Sequence, residues 1–199
     1  MLFRSKREVI GYMGSGGNHL RWLLLLDPSF VLPRGTSQNN YDFIIQDVYS
    51  FGRTWQNWLN YEWRWRLEVE DLIAFSHGRV IQSDIKYCAL KTDPDAAFKH
   101  YLKFNTNLNT TLIDTFKRKT MEYNDTIVAQ SVLDNVLIID SEGLFQPQLD
   151  TELYNQVVEW FELDNLYDQA SEIHTKWYNL IKRAEQDIIT DLQIGRAHV

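Results

Sequence analysis

The sequence predicts an α/β fold of three layers, a central, mostly parallel sheet flanked by helices. Three observations carry it. Four apolar runs (Val9–Met13, Leu72–Ser76, Tyr87–Leu90 and Val136–Asp140) are short and continuous rather than alternating, as strands covered on both faces are. Each run is followed by a stretch of helical character, the order that builds parallel sheets. The first run also joins its helix through a turn that holds three glycines, Gly14, Gly16 and Gly17.

Val9–Met13 reads as a buried strand and Leu20–Leu26 as a helix packed on it. Asp27-Pro28 and Pro33–Ser37 punctuate a loop. Trp55, Trp58 and Trp65 fall near one helical face beside Leu59, with Arg53, Arg64 and Arg66 as a solvated rim. Leu72–Gly78 is a short run that ends in a histidine and a turn. Tyr87–Leu90 is a strand stopped by Lys91-Thr92-Asp93-Pro94, and Pro94 suits the first turn of the helix that continues through Phe104. Helix resumes from Leu108 to Tyr123. Val136–Asp140 is the clearest strand, with a loop marked by Gly143, Pro147 and Asp150 after it. Val157–Phe161 belongs to one helix, and Ile173–Ile181 to another that ends near Leu192.

Length and charge bound the function. A chain of 199 residues fits one α/β domain with a real core. A net charge of −7 argues against a nucleic-acid partner, whose phosphates call for a basic face. Acidic residues concentrate after Asp134, which leaves room for a basic pocket earlier in the chain. Cys88 is the one cysteine, so no internal disulfide forms and zinc spacing is lacking; with no leader or membrane span evident near the amino end, a cytoplasmic setting is expected. The sequons at Asn109 and Asn124 then read as chance. Ile194–Val199 reads as the translation of a sequencing adapter, so the domain is taken as 1–193, from a metagenomic source, with 194–199 as a foreign tail.

The turn Met13–Arg21 carries the chemistry. Glycine lets a backbone bend sharply and come close to a ligand, and the helix after the turn offers unpaired N–H groups and a partial positive charge. A strand, a Gly-rich turn and a helix together hold a phosphate or sulfate. The turn is not a Walker A loop: counted from Gly11, Gly16 fits, but Gly17 and Asn18 stand where Lys and Ser or Thr belong. A P-loop kinase relative is disfavoured on that ground. The dinucleotide fingerprint fails as well. A turn that uses glycine for packing alone is the alternative, although one glycine would suffice for it. Ser15-Gly16-Gly17, His77, Lys91 and Asp140 all stand just past a strand's end, where ligands gather in such sheets.

This order of elements resembles the sulfotransferases that use 3′-phosphoadenosine-5′-phosphosulfate (PAPS), in the divergent form found in phage and environmental sequences. The strand and turn at Ile10–Trp22 look like the family's 5′-phosphosulfate loop. Phe75-Ser76-His77 looks like the segment with its catalytic histidine. Lys86–Asp95 looks like the strand and turn that lead to the 3′-phosphate site, and Val136–Leu144 like a late strand and acidic turn. The resemblance spans about Val9 to Arg183 and implies a P-loop-like fold. It implies PAPS as co-substrate, a hydroxyl acceptor such as a carbohydrate or small molecule, and no metal. His77 is then the general base and Gly14, Ser15, Gly16, Gly17, Asn18 and His19 form the cofactor loop, with Lys91 and Lys99 on the 3′-phosphate.

The chain departs from the family where a loop lysine or arginine usually stands; here that residue is Gly14. Arg21, one turn into the helix, is the substitute cation. Lys91 and Lys99 replace an arginine and a serine, and the late basic-glycine loop is not evident, Lys117-Arg118-Lys119 being the nearest basic cluster. A catalytically silent nucleotide- or anion-binding module of the same fold therefore stands as the alternative function. Each residue also has a plainer reading. His77 caps a turn before Gly78, His19 points to the core, and His100 is solvated. His174 is structural, Lys117–Lys119 is an exposed helix face, and the Trp55–Trp65 cluster is helical core rather than an acceptor platform.

Overall fold

The computed structural model describes residues 6–24, 26–29, 73–76, 81–102, 110–179 and 182. The Trp55–Trp65 cluster, Arg53, Arg64, Arg66, His77 and the tail 194–199 lie outside the described residues.

Four strands form one sheet: β1 (Lys6–Gly11), β2 (Ile73–Ser76), β3 (Ile85–Lys91) and β4 (Val136–Asp140). Their order is β2-β1-β3-β4, and every neighbouring pair is parallel. The helices are α1 (Gly17–Leu24), α2 (Pro94–Leu102), α3 (Thr110–Ala129), α4 (Thr151–Phe161) and α5 over 167–179. The α/β reading of the sequence thus holds, with a parallel sheet between helices.

Strand alternation sends side chains to two separate cores. Val9, Cys88, Leu90 and Ile139 face one side and pack with Leu20, Leu23 and Leu24 of α1, with Val157 and Phe161 of α4, and with Ile173 of α5. Ile10, Tyr87, Ala89 and Val136 face the other side, against Tyr123 and Ile127 of α3. Ala97 and Phe98 of α2 close on Phe116 of α3. Each helix presents a stripe at helical spacing, such as Phe116, Thr120, Tyr123 and Ile127. Burial on both faces explains why the strands read as continuous apolar runs. It also pushes the Cys88 thiol, fully buried, far above its ordinary pKa.

The chain leaves β1 toward one face through α1 and leaves β3 toward the other through α2. Since β1 and β3 are neighbours, the chain switches faces between them, and such a switch point is where open α/β sheets take ligands.

Boundaries shift for local reasons. β1 stops at Gly11 rather than Met13, because the Ser15 N–H turns back to the Tyr12 carbonyl at 3.1 Å. α3 runs on to Ala129, six residues beyond the expected end, since Ile127 continues its buried stripe. The stretch after β4 is not a loop throughout: Ser141–Phe145 winds into a 3₁₀ helix capped by Asp140, which accepts from the Glu142 N–H. Asp150 caps α4 by accepting from the Leu153 N–H at 3.0 Å. Among the described residues no helix is long and apolar enough to cross a membrane.

Candidate functional site

Register brings the strand ends together: Gly11 pairs with Leu90, Ile10 with Ser76, and Lys91 with Asp140. The turn after β1 is thereby set beside the segments that leave β3 and β4. Gly14 and Gly16 take φ of 83° and 77°, a region that side chains avoid. Gly14 is pressed onto α2, and a Cβ there would collide with the Ala97 carbonyl oxygen. Gly16 faces the 3₁₀ turn, where a Cβ would stand 3.3 Å from Phe145 Cζ and 3.4 Å from Leu144 Cδ1. Gly11 leaves room for the Ser15 side chain, which is 1% exposed and whose Oγ has no hydrogen-bond partner among the described residues.

The turn therefore uses its glycines for close approach in three directions. Packing within the chain thus accounts for Gly11, Gly14 and Gly16, and the alternative reading of the turn needs more than one glycine after all. The Leu20 N–H donates to the Gly16 carbonyl at 3.0 Å and so starts α1. The preceding N–H groups, on Gly16, Gly17 and Asn18, lie where the helix supplies no acceptor and where its positive end is concentrated. The Ser15 amide, expected to join them, is engaged with Tyr12.

The expected cations lie apart in character. Arg21 is buried, and desolvation pushes its pKa down to about 10, so it remains charged at neutral pH. Lys91, at the end of β3, and Lys99, on α2, are exposed. The Gly14 contact bears on the missing loop cation. In this backbone no side chain fits at Gly14, so the turn is built without a lysine there. Lys117 pairs with Asp95 and lies over the Phe98 ring, while Arg118 pairs with Glu122, which fits an exposed helix face.

His19 and His174 sit together beneath the turn. His19, 1% exposed, points inward; its Nε2 is 2.9 Å from His174 Nδ1, and its ring stacks on Trp177 at 3.8 Å between centroids. His174 Nε2 lies 2.8 Å from the Gln146 carbonyl. A carbonyl only accepts, so His174 Nε2 carries a proton; with both rings neutral, His174 Nδ1 accepts and His19 Nε2 donates. Burial holds the His174 pKa below the usual imidazole value, although the Gln146 carbonyl opposes this.

A polar latch at the ends of β3 and β4 escaped sequence reasoning. The buried Ser141 hydroxyl donates to Thr92 Oγ1 at 2.8 Å. Asn124 of α3 accepts from the Thr92 N–H and donates to the Thr92 carbonyl at 2.8 Å. Asn124, which reads as a sequon in the sequence, thus serves as a backbone clamp. Asp93 caps α2 by accepting from the Asp95 and Ala96 N–H groups. Among the described residues no group of three or more His, Cys, Asp or Glu side chains is placed to hold a metal ion. Compared with family models, curated proteins and solved structures, the chain matches none of them.

Proposed function

We propose that the chain is a sulfotransferase-like protein with a P-loop-like fold, whose glycine turn takes the 5′-phosphosulfate of PAPS. One observation carries the reading: a turn with two left-handed glycines opens a helix at the switch point between β1 and β3. The amides of Gly16, Gly17 and Asn18 supply donors to the sulfate and 5′-phosphate oxygens. Lys91 and Lys99 supply charge for the 3′-phosphate. In the transfer, an acceptor hydroxyl oxygen bonds to sulfur as the sulfur–oxygen bond to the 5′-phosphate breaks. The hydroxyl proton passes to His77, the residue after Ser76 of β2, and adenosine 3′,5′-bisphosphate leaves. Positioning and charge stabilisation dominate such reactions, and a general base adds about 10²–10⁴-fold.

A second reading has its own support. The collision that a side chain at Gly14 would make with Ala97 removes the loop cation by construction, which favours a silent anion-binding module of the same fold.

Calorimetric titration with adenosine 3′,5′-bisphosphate tests both. Saturable binding that weakens about tenfold (about 1.4 kcal/mol) in Lys91→Ala and in Lys99→Ala is the expected result. Binding untouched by either change overturns the 3′-phosphate assignment, and no binding overturns the site. Sulfuryl transfer from labelled PAPS to hydroxyl acceptors, abolished in His77→Ala, separates enzyme from silent module.

A further inference from the structure

We propose that His19 and His174 form an acid-released latch that fastens the turn end of α1 to α5 and to the Gln146 segment. The proposal does not rest on anion binding. His19 lies in the first turn of α1, two residues beyond Gly17, so what holds its ring holds the start of that helix. The ring is held on two sides, by the 2.9 Å contact with His174 and by the stack on Trp177. His174 in turn is fixed by Gln146 at 2.8 Å.

The 2.9 Å contact holds one proton. In the neutral pair, His174 Nδ1 is the acceptor, because its Nε2 proton is committed to the Gln146 carbonyl. A proton added at His174 Nδ1 sets two N–H groups face to face, unless the His19 proton moves from Nε2 to Nδ1 of its own ring. Either outcome also leaves an imidazolium in a layer where both rings are at most 1% exposed. Among the described residues, the hydrogen-bond and ring partners of His174 are His19 from α1, the Gln146 carbonyl from the segment after β4, and Trp177 on its own helix. Glu172 and Lys176 of the same helix are exposed and pair with each other, so they do not compensate the charge.

Burial lowers the His174 pKa in the fold, whereas an unfolded histidine titrates near 6.5. The latch is therefore intact above about pH 6.5 and weakens as pH falls below it.

Hydrogen exchange on the full chain between pH 7.5 and 5.0, corrected for the intrinsic rate, tests it. The α1 amides should lose at least tenfold more protection than those of α4. In His174→Gln, whose amide can accept from His19 and donate to Gln146 without titrating, that difference should vanish. Parallel loss in α1 and α4 overturns the proposal, as does an unchanged difference in the variant. Should the variant fail to fold, ¹⁵N shifts of the wild-type rings decide. A His174 Nδ1 that changes from acceptor to protonated as α1 loosens supports the latch, and one that stays an acceptor to pH 5 with α1 already loose overturns it.

Discussion

Gly14, in the turn after β1, and Ala97, in the first turn of the helix after β3, have backbones that touch so closely that only a hydrogen fits between them. This contact ties the turn after β1 to the first turns of α2, and Gly14 also takes a φ of 83°. Gly14→Ala should therefore cost about 2–4 kcal/mol, from a left-handed side chain and from overpacking. Gly16→Ala shares the strain (φ of 77°), but its nearest neighbours are side-chain atoms at 3.3 and 3.4 Å. It should cost less, about 1–2 kcal/mol. Urea unfolding of both variants checks the order.

Thr92 and Ser141 should show coupled energetics. Ser141→Ala leaves Thr92 Oγ1 without its buried donor and should cost about 1–3 kcal/mol. Thr92→Val should cost a similar amount. The double variant should fall short of the sum, because both groups of the pair leave together. Additive losses in a double-mutant cycle would show that the hydroxyls do not depend on each other.

Asp27 gives an acid-side dependence. Its carboxylate, 4% exposed, accepts from the Ser29 N–H at 2.7 Å and the Asp164 N–H at 2.6 Å. Burial pushes its pKa up, but these donors, the Ser29 hydroxyl and the Arg7 charge outweigh it, and the group lies below the usual carboxylate range. The folded value is depressed, so the stabilisation is present above about pH 4 and is lost as pH falls through the folded value. Asp27→Asn should cost about 1–3 kcal/mol at pH 7 and flatten the acid limb of a stability–pH curve.

Cys88 should be inert in the native chain. Its thiol is fully buried and raised far above its ordinary pKa, so little thiolate forms and reagents have no access. Ellman's reagent should react only at the rate of opening, with a steep rise near the urea midpoint. Fast labelling in native buffer would contradict the packing of β3.

Apolar runs made the sheet legible. Tyr87–Leu90 and Val136–Asp140 can be read directly because both faces of those strands are buried, and Pro94 marks the start of α2 through its fixed φ. The glycine turn was legible as a close-approach device, but not what it approaches. Ala97 and Phe145 are remote in sequence, and no local pattern encodes such a meeting. The same holds for Thr92 with Ser141 and for His19 with His174, whose pairing depends on which layer each helix joins. His19 reads both as part of the cofactor loop and as a core residue, and its ring turns inward onto His174 and Trp177. The burial of Arg21 was not legible, since an arginine near a glycine loop carries no sign of which way its long side chain runs.

The placement of β1 has a consequence for how the chain acquires its shape. β1 is hydrogen-bonded on both edges, to partners as distant along the chain as Ile73 and Ile85. While the polypeptide is being synthesised, this segment must wait for those partners to emerge, its amides bonded to water and its apolar side chains exposed to chaperones or to other nascent chains. Slow, non-local assembly of this kind predicts that yield on expression will respond to temperature and synthesis rate more sharply than native stability does.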